Sequence, residues 1–406
     1  MLKLNKWLGT KVGAARGRRA TLPVVAEQLE IRLVPAFAGI VVATLAANGN
    51  ITLTGDNQNN GIEIEVTDDG TDIFGSGDTL IKFGNAAPSS SLHLSDTDLA
   101  AGNISVSLGK GNDSLEIDVK DGHTAAAKNV TIDMGDGNDE VFSTDSTGNI
   151  HVANLTVNMG DGNNTVDMDA LDTARITVDG LLKITSGKGN DLIRLNSFSA
   201  EAPSQEDFDS LFTDSQDSPI VEHHIHAGSI SITTGAQNDV IGLGGVTVDK
   251  DLTINSGILT SSVDDDVVAL VSVSVGGNLT VTTGGSQDVV AATDVDVLGS
   301  VRVDTGDGFD KVLVSNSSFA SVVNISLGKG DDLLLIGPNV EIEDPKKVTI
   351  DGGPGHDVAS RIVNELRAAG AKVTGGIVNV SESFDSQPVF DRLYAGVSKL
   401  FPGIAG

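Results

Sequence analysis

One five-residue phrase recurs along this chain and limits what it can fold into. It reads Gly109-Lys110-Gly111-Asn112-Asp113, then Gly135-Asp136-Gly137-Asn138-Asp139, and returns at 160–164, 187–191, 235–239, 284–288, 306–310, 328–332 and 353–357. A degraded copy stands at Ser262-Val263-Asp264-Asp265-Asp266. The final acidic or amide residue falls at 113, 139, 164, 191, 239, 266, 288, 310, 332 and 357. The intervals run from 22 to 27 residues, apart from one of 48 that reads as about two periods. A fixed period in this range marks a solenoid, whose repeats bury their apolar faces only against their neighbours.

The flanks of each phrase fix the kind of solenoid. Before it come alternating runs such as Val130-Thr131-Ile132, Leu279-Thr280-Val281 and Val348-Thr349-Ile350; after it come Leu115-Glu116-Ile117, Val166-Asp167-Met168 and Val312-Leu313-Val314. Alternation of this kind is strand with one face buried. A third short run, as in Val246-Thr247-Val248 or Val295-Asp296-Val297, closes the coil. Three strands per repeat predict an all-β fold, a parallel β-helix solenoid of about a dozen coils with one Gly-x-Gly-x-Asp turn per coil. Leu115, Val141, Val166 and Val312 share one offset from the turn and are expected to stack in a single interior column. The glycines supply the positive φ of a tight corner. With 48 Gly and 3% aromatics among 406 residues, the core is a ladder of Val, Ile and Leu.

Three segments follow. Residues 1–37 carry a net charge of +5 in a chain of −30 and read as an export or anchor segment. Residues 38–358 are the β-helix, with an acidic surface insertion at 198–222. Residues 359–406 form a partly helical cap, from helical spacing at Arg361 to Ala371 and Pro388 to Phe401; such a cap covers an edge that otherwise invites aggregation. No apolar run has transmembrane length. The absence of cysteine excludes disulfides and thiolate chemistry.

The turn also carries the candidate chemistry. Stacked carboxylates about 5 Å apart repel by about 1 kcal/mol in water and by several times more near a protein surface. A hard cation such as calcium offsets that charge; the structural alternative is that each Asp accepts backbone N–H groups of its own turn. Gly135 to Val141, Gly306 to Val312 and Gly352-Gly353-Pro354-Gly355-His356-Asp357-Val358 resemble the haemolysin-type (RTX) calcium-binding repeat. In that family the turns recur in tandem every nine residues; here they recur once per coil. The resemblance implies calcium on a single edge of the rod, held by Asp113, Asp136, Asp139, Asp161, Asp191, Asp239, Asp288, Asp307, Asp310, Asp331, Asp332 and Asp357. The best paired sites are then Asp136/Asp139 with Asp161/Asn164, and Asp307/Asp310 with Asp331/Asp332. Lys110, Lys188 and Lys329 would repel a cation if they point inward. Gln28-Leu29-Glu30-Ile31-Arg32-Leu33-Val34-Pro35-Ala36 resembles the LEPR-XLL element of large bacterial surface proteins. That resemblance implies an extracellular or cell-envelope location.

Other readings are weaker. Glu222, His224 and His226 share one face if they lie on a strand, at a spacing suited to zinc; the plainer alternative is a solvated strand entering a coil. Lys183 and Arg302 interrupt the outward threonines that an ice-binding lattice would need. The negative charge opposes nucleic acid and anionic lipid. A catalytic acid is needed once, not in every coil, so the chain reads as no enzyme. It reads as a structural or adhesive surface rod with calcium, extracellular polysaccharide or other surface proteins as partners; the alternative is a carbohydrate-active β-helix enzyme of lyase or hydrolase type.

Overall fold

Short apolar runs at a fixed offset from a repeated turn have one way to bury their inward faces, which is to stack in register on the preceding coil. The computed structural model, which describes residues 39–67, 69–95, 102–143, 146–170, 173–196, 224–257, 264–337 and 339–379, shows that stacking. The pre-turn strands pair in parallel from Ile51–Thr54 through Ile104–Ser107, Leu252–Asn255, Leu279–Thr282, Val301–Asp304, Val323–Ser326 and Val348–Asp351 to Lys372–Thr374, with the ends of longer strands between. The post-turn strands form a second parallel sheet, from Gly61–Thr67 and Ser114–Val119 to Leu333–Ile336, Val358–Ala359 and Val378–Asn379. A third sheet joins Ile176, Ile225, Val246, Val273 and Val295 in one register position.

The interior column expected after the turn is present. Leu115 pairs with Val141 and Val141 with Val166; further along, Ile241, Val268, Val290 and Val312 continue the same position to Leu334. Leu115, Val166, Ile241 and Val312 are wholly buried. Ile241→Ala is expected to cost about 2–5 kcal/mol, as a cavity in a packed aliphatic column does, read as a lower denaturant midpoint; Ile241→Val should cost only about 0.5–1.5 kcal/mol.

Four features differ from the sequence reading. The interval of 48 residues is a single coil step: the strands at Ile176 and Leu192 pair directly with those at Ile225 and Val240. The extra length falls between Asn196 and His224, as does the insertion expected at 198–222, and lies outside the described residues. Consequently the ten turns from Asp113 to Asp357 bound nine coils; the irregular turn at 56–60 and the strands after Ala359 extend the ladders at either end. Second, the N-terminal part is not a plain coil stack. Ile40–Leu45 pairs antiparallel with Ile51–Thr54, and Gly61–Thr67, Gly70–Gly75 and Ser91–Leu94 form an antiparallel meander. Antiparallel strands need only short turns, so they can fold back and cover the first coils. Third, the ladders continue past residue 358 beyond the cap helix α1 (Arg361–Ala369), which buries Val363 and Leu366 and ends at Gly370 with φ 113°. Pro388 to Phe401 and residues 1–38 lie outside the described residues. Fourth, the corner after the post-turn strand is made by residues with positive φ that are mostly not glycine: Asn196, Ser272, Asp294, Asn316 and Asn339, with Gly245 opposite Ser272. Short polar side chains tolerate this region best.

Candidate functional site

The turn packs backbone against backbone. A Cβ on Gly306 would lie 1.6 Å from the Gly284 carbonyl oxygen, and one on Gly308 1.4 Å from that of Ser286. Both glycines are therefore demanded by the approach of neighbouring coils, beyond any need for positive φ. Where the second glycine is missing, Gln237 and Ser286 hold φ of 86° and 95°, a strained conformation for a side chain of that size.

This close stacking turns the last residue of each phrase inward. Asp113, Asp139, Asn164, Asp191, Asp239, Asp266, Asp288, Asp310, Asp332 and Asp357 are all buried. Each Oδ1 accepts from the backbone N–H of the ladder residue in the preceding coil. Asn60 N–H donates to Asp113 at 2.7 Å, Asp113 to Asp139 at 2.7 Å and Asp139 to Asn164 at 3.0 Å. The series continues without a gap through Asp191, Asp239, Asp266, Asp288 and Asp310 to Asp357. The structural alternative expected the carboxylates to cap their own turns; they cap the neighbouring coil, because an inward side chain at this corner lies against the next layer's amide. A hydrogen bond to a charged acceptor contributes about 1.5–3 kcal/mol, so the ladder fastens coil to coil.

A second ladder runs outside it in the opposite sense. Asn138 N–H donates to Asn112 Oδ1 at 3.0 Å, Asn163 to Asn138 at 2.8 Å, Asn190 to Asn163 at 2.9 Å and Asn238 to Asn190 at 3.1 Å. Each coil is thus held from both sides. The sequence reading passed over this ladder, although Asn immediately before the Asp in successive phrases was a usable sign. It also passed over Asn60, whose turn, Asp56-Asn57-Gln58-Asn59-Asn60, has lost both glycines.

The twelve proposed calcium ligands divide between these two faces. Asp113, Asp139, Asp191, Asp239, Asp288, Asp310, Asp332 and Asp357 lie inside, whereas Asp136, Asp161, Asp307 and Asp331 are exposed. The paired sites expected between adjacent turns, Asp136/Asp139 with Asp161/Asn164 and Asp307/Asp310 with Asp331/Asp332, are therefore each split across the wall. The outer carboxylates have other partners: Lys110 Nζ is 2.5 Å from Asp136 and Lys329 Nζ 2.7 Å from Asp307, while Asp161 accepts the Lys188 N–H at 3.0 Å. The turn lysines point outward and do not oppose a cation within the turn. His224 bonds the Ala174 carbonyl at 2.9 Å and His226 bonds Asp249 at 2.8 Å; Glu222 lies outside the described residues. Among the described residues no group of three or more His, Asp or Glu converges as a metal cluster.

The inner ladder leaves an electrostatic problem. The Oδ2 atoms of Asp113, Asp139, Asp191, Asp239, Asp266, Asp310, Asp332 and Asp357 are buried without a well-formed hydrogen bond. Asp288 Oδ2 accepts from Thr283 Oγ1 at 2.8 Å. In the middle of the rod the hydroxyls of Ser186, Thr234, Ser256 and Thr305 lie beside the carboxyls, a weaker form of the same relief. Loss of hydration raises every one of these acids, and neighbouring carboxylates add to the effect at most of them. Asp266 is pushed up to about 9, Asp310 to about 8, Asp139, Asp239 and Asp288 to about 7, and Asp113, Asp191 and Asp332 to about 6. Asp357 is raised as well. Buried carboxyls in this state take up a proton or a cation.

No protein-family model, curated protein or solved structure matches this chain. Its class is defined by its fold: a parallel β-solenoid threaded by a buried aspartate ladder.

Proposed function

We propose that the chain is a structural or adhesive rod of the bacterial cell surface or extracellular space, whose aspartate turns take up calcium. The observation that carries this reading is the row of buried Oδ2 atoms without a well-formed hydrogen bond, repeated in coil after coil. Repetition supports architecture over catalysis, since a reaction centre needs one unique acid pair and the ladder repeats a single arrangement. Calcium suits the donor set, which is carboxylate and carbonyl oxygen. The inner residues Asp113, Asp139, Asp191, Asp239, Asp288, Asp310, Asp332 and Asp357 would hold it, with Asp266 beside them.

Calcium is expected to raise the melting temperature of the full chain, because it binds the folded ladder and not the open chain. Thermal unfolding followed by circular dichroism, with calcium and with chelator, measures this; identical curves at physiological ionic strength would leave the turns purely structural.

The surface assignment rests on the basic segment 1–37 and its Leu29-Glu30-Ile31-Arg32 element. Deleting 1–37 is expected to preserve the β-sheet spectrum while retaining the protein in the cytoplasm. Equal cytoplasmic recovery of full-length and truncated chains on cell fractionation would remove the envelope assignment, and with it polysaccharide or surface-protein partners.

A further inference from the structure

Two positions of the inner ladder are amides, and their surroundings reveal what the aspartate turns lack. Asn60 Nδ2 lies 2.7 Å from the Gln58 carbonyl oxygen, 3.4 Å from that of Asp56 and 3.5 Å from that of Leu108 in the next coil. Asp113 Oδ1 is 3.4 Å away and Asp56 Oδ1 3.5 Å. Asn164 Nδ2 repeats the pattern, at 3.2 Å from Gly160 O, 3.0 Å from Gly162 O and 3.1 Å from Ser186 Oγ of the next coil. In both turns the amide nitrogen meets the carbonyls four and two residues back, together with oxygen from the following coil. It brings two hydrogens into a nest of oxygens.

An aspartate in the ladder uses its Oδ1 as Asn164 does, accepting the N–H of the preceding coil. Its other branch then ends in an oxygen where the amide has nitrogen. That oxygen is acceptor-only when ionised, and at Asp139 the residue is 0% exposed with Oδ2 unpartnered. A proton on Oδ2 supplies one hydrogen, enough for one of the two turn carbonyls. A divalent cation satisfies carboxylate and carbonyl oxygens together.

Resting on the calcium reading above, we propose that Asn60 and Asn164 are built-in stand-ins for the cation: their amide groups fill the position that calcium takes in the aspartate turns, so that these two coils close without metal. Asn164 then divides the cation array, with Asp113 and Asp139 on one side and the run from Asp191 to Asp357 on the other. Asn60 closes the array at the N-terminal end. An amide at these points also interrupts the row of like charges, which lets the first coils stack before any ion is bound.

Equilibrium dialysis of calcium against the full chain, paired with melting curves in chelator, tests this. Asn164→Asp is expected to bind about one calcium ion more per chain than the natural protein; in chelator it should melt at a lower temperature, with calcium restoring the difference. Asp139→Asn is expected to bind about one ion fewer and, in chelator, to melt no lower than the natural protein. If the natural chain binds calcium while both variants, folded by circular dichroism, bind the same number of ions, the stand-in role is overturned and the calcium reading survives. If Asn164→Asp does not fold, the Asp139→Asn count decides alone. If the natural chain binds no calcium, both are overturned.

Discussion

Replacing Gly330 by alanine is expected to destabilise the protein by more than about 4 kcal/mol, a size reserved for steric conflict or lost buried networks. The new Cβ would lie 1.4 Å from the Gly308 carbonyl oxygen, and the residue holds φ of +143°. Neither neighbour can move without opening the coil step, because Gly308 is itself stacked 1.4 Å by the same measure on Ser286. Gly242 is the control. It lies in the strand Val240–Val248, and a Cβ there meets nothing within 4 Å. Gly242→Ala should change stability by no more than about 1 kcal/mol, in the stabilising direction, since alanine loses less backbone freedom on folding. Urea unfolding of the two variants beside the natural protein reads the difference. A Gly330→Ala protein as stable as Gly242→Ala would refute the close stacking of turns.

The second large effect concerns pH in the absence of divalent cations. The ladder carboxyls have raised values when folded, about 7 at Asp139, about 8 at Asp310 and about 9 at Asp266, against an ordinary Asp near 3.9 in the open chain. Between those limits the folded state binds more protons than the unfolded state, so stability falls as pH rises. The contribution is fully present below about pH 4 and is lost as pH climbs through the folded values. This is the reverse of acid denaturation. A tenfold difference in proton affinity between folded and open chain corresponds to about 1.4 kcal/mol, so the summed loss across the ladder is expected to reach several kcal/mol. Stability measured by denaturant titration in chelator should decline from about pH 5 to about pH 9, and added calcium should flatten the decline by taking the proton's place. Asp310→Asn should also flatten it, because an amide at 310 keeps the Oδ1 acceptor for Asp288 N–H and supplies hydrogens as Asn164 does. Asp310→Ala should instead cost about 1–3 kcal/mol by leaving that N–H unpaired. A pH profile that rises across this range would mean that the ladder is ionised and solvated.

Much of the architecture was readable from local sequence. Strand, turn and apolar column are set by residues only a few positions apart, and the register of Leu115 with Val141 and Val166 followed from their common distance to the turn. The degraded phrase ending at Asp266 also kept its place, because the ladder needs its carboxylate more than its glycines: Asp239 donates to it and it donates to Asp288. The candidate site was readable only in part. The sequence marked the acidic positions but could not tell Asp136 from Asp139, which stand three residues apart on opposite sides of the wall. It could not show that the inner carboxylates bond a neighbouring coil, since those bonds join residues 22 to 53 positions apart.

The chain's own residues determined a three-sided coil of aliphatic strands, a glycine corner and an acidic column, because each rests on alternation, positive φ or a fixed period. The tertiary structure alone decided that the interval of 48 residues is one coil, that Asn, Ser and Asp make most of the second corner, and that the amides of Asn60 and Asn164 turn toward the carbonyls of their own turns. Those outcomes depend on which backbone lies above which, and only stacking brings such distant segments within hydrogen-bonding distance.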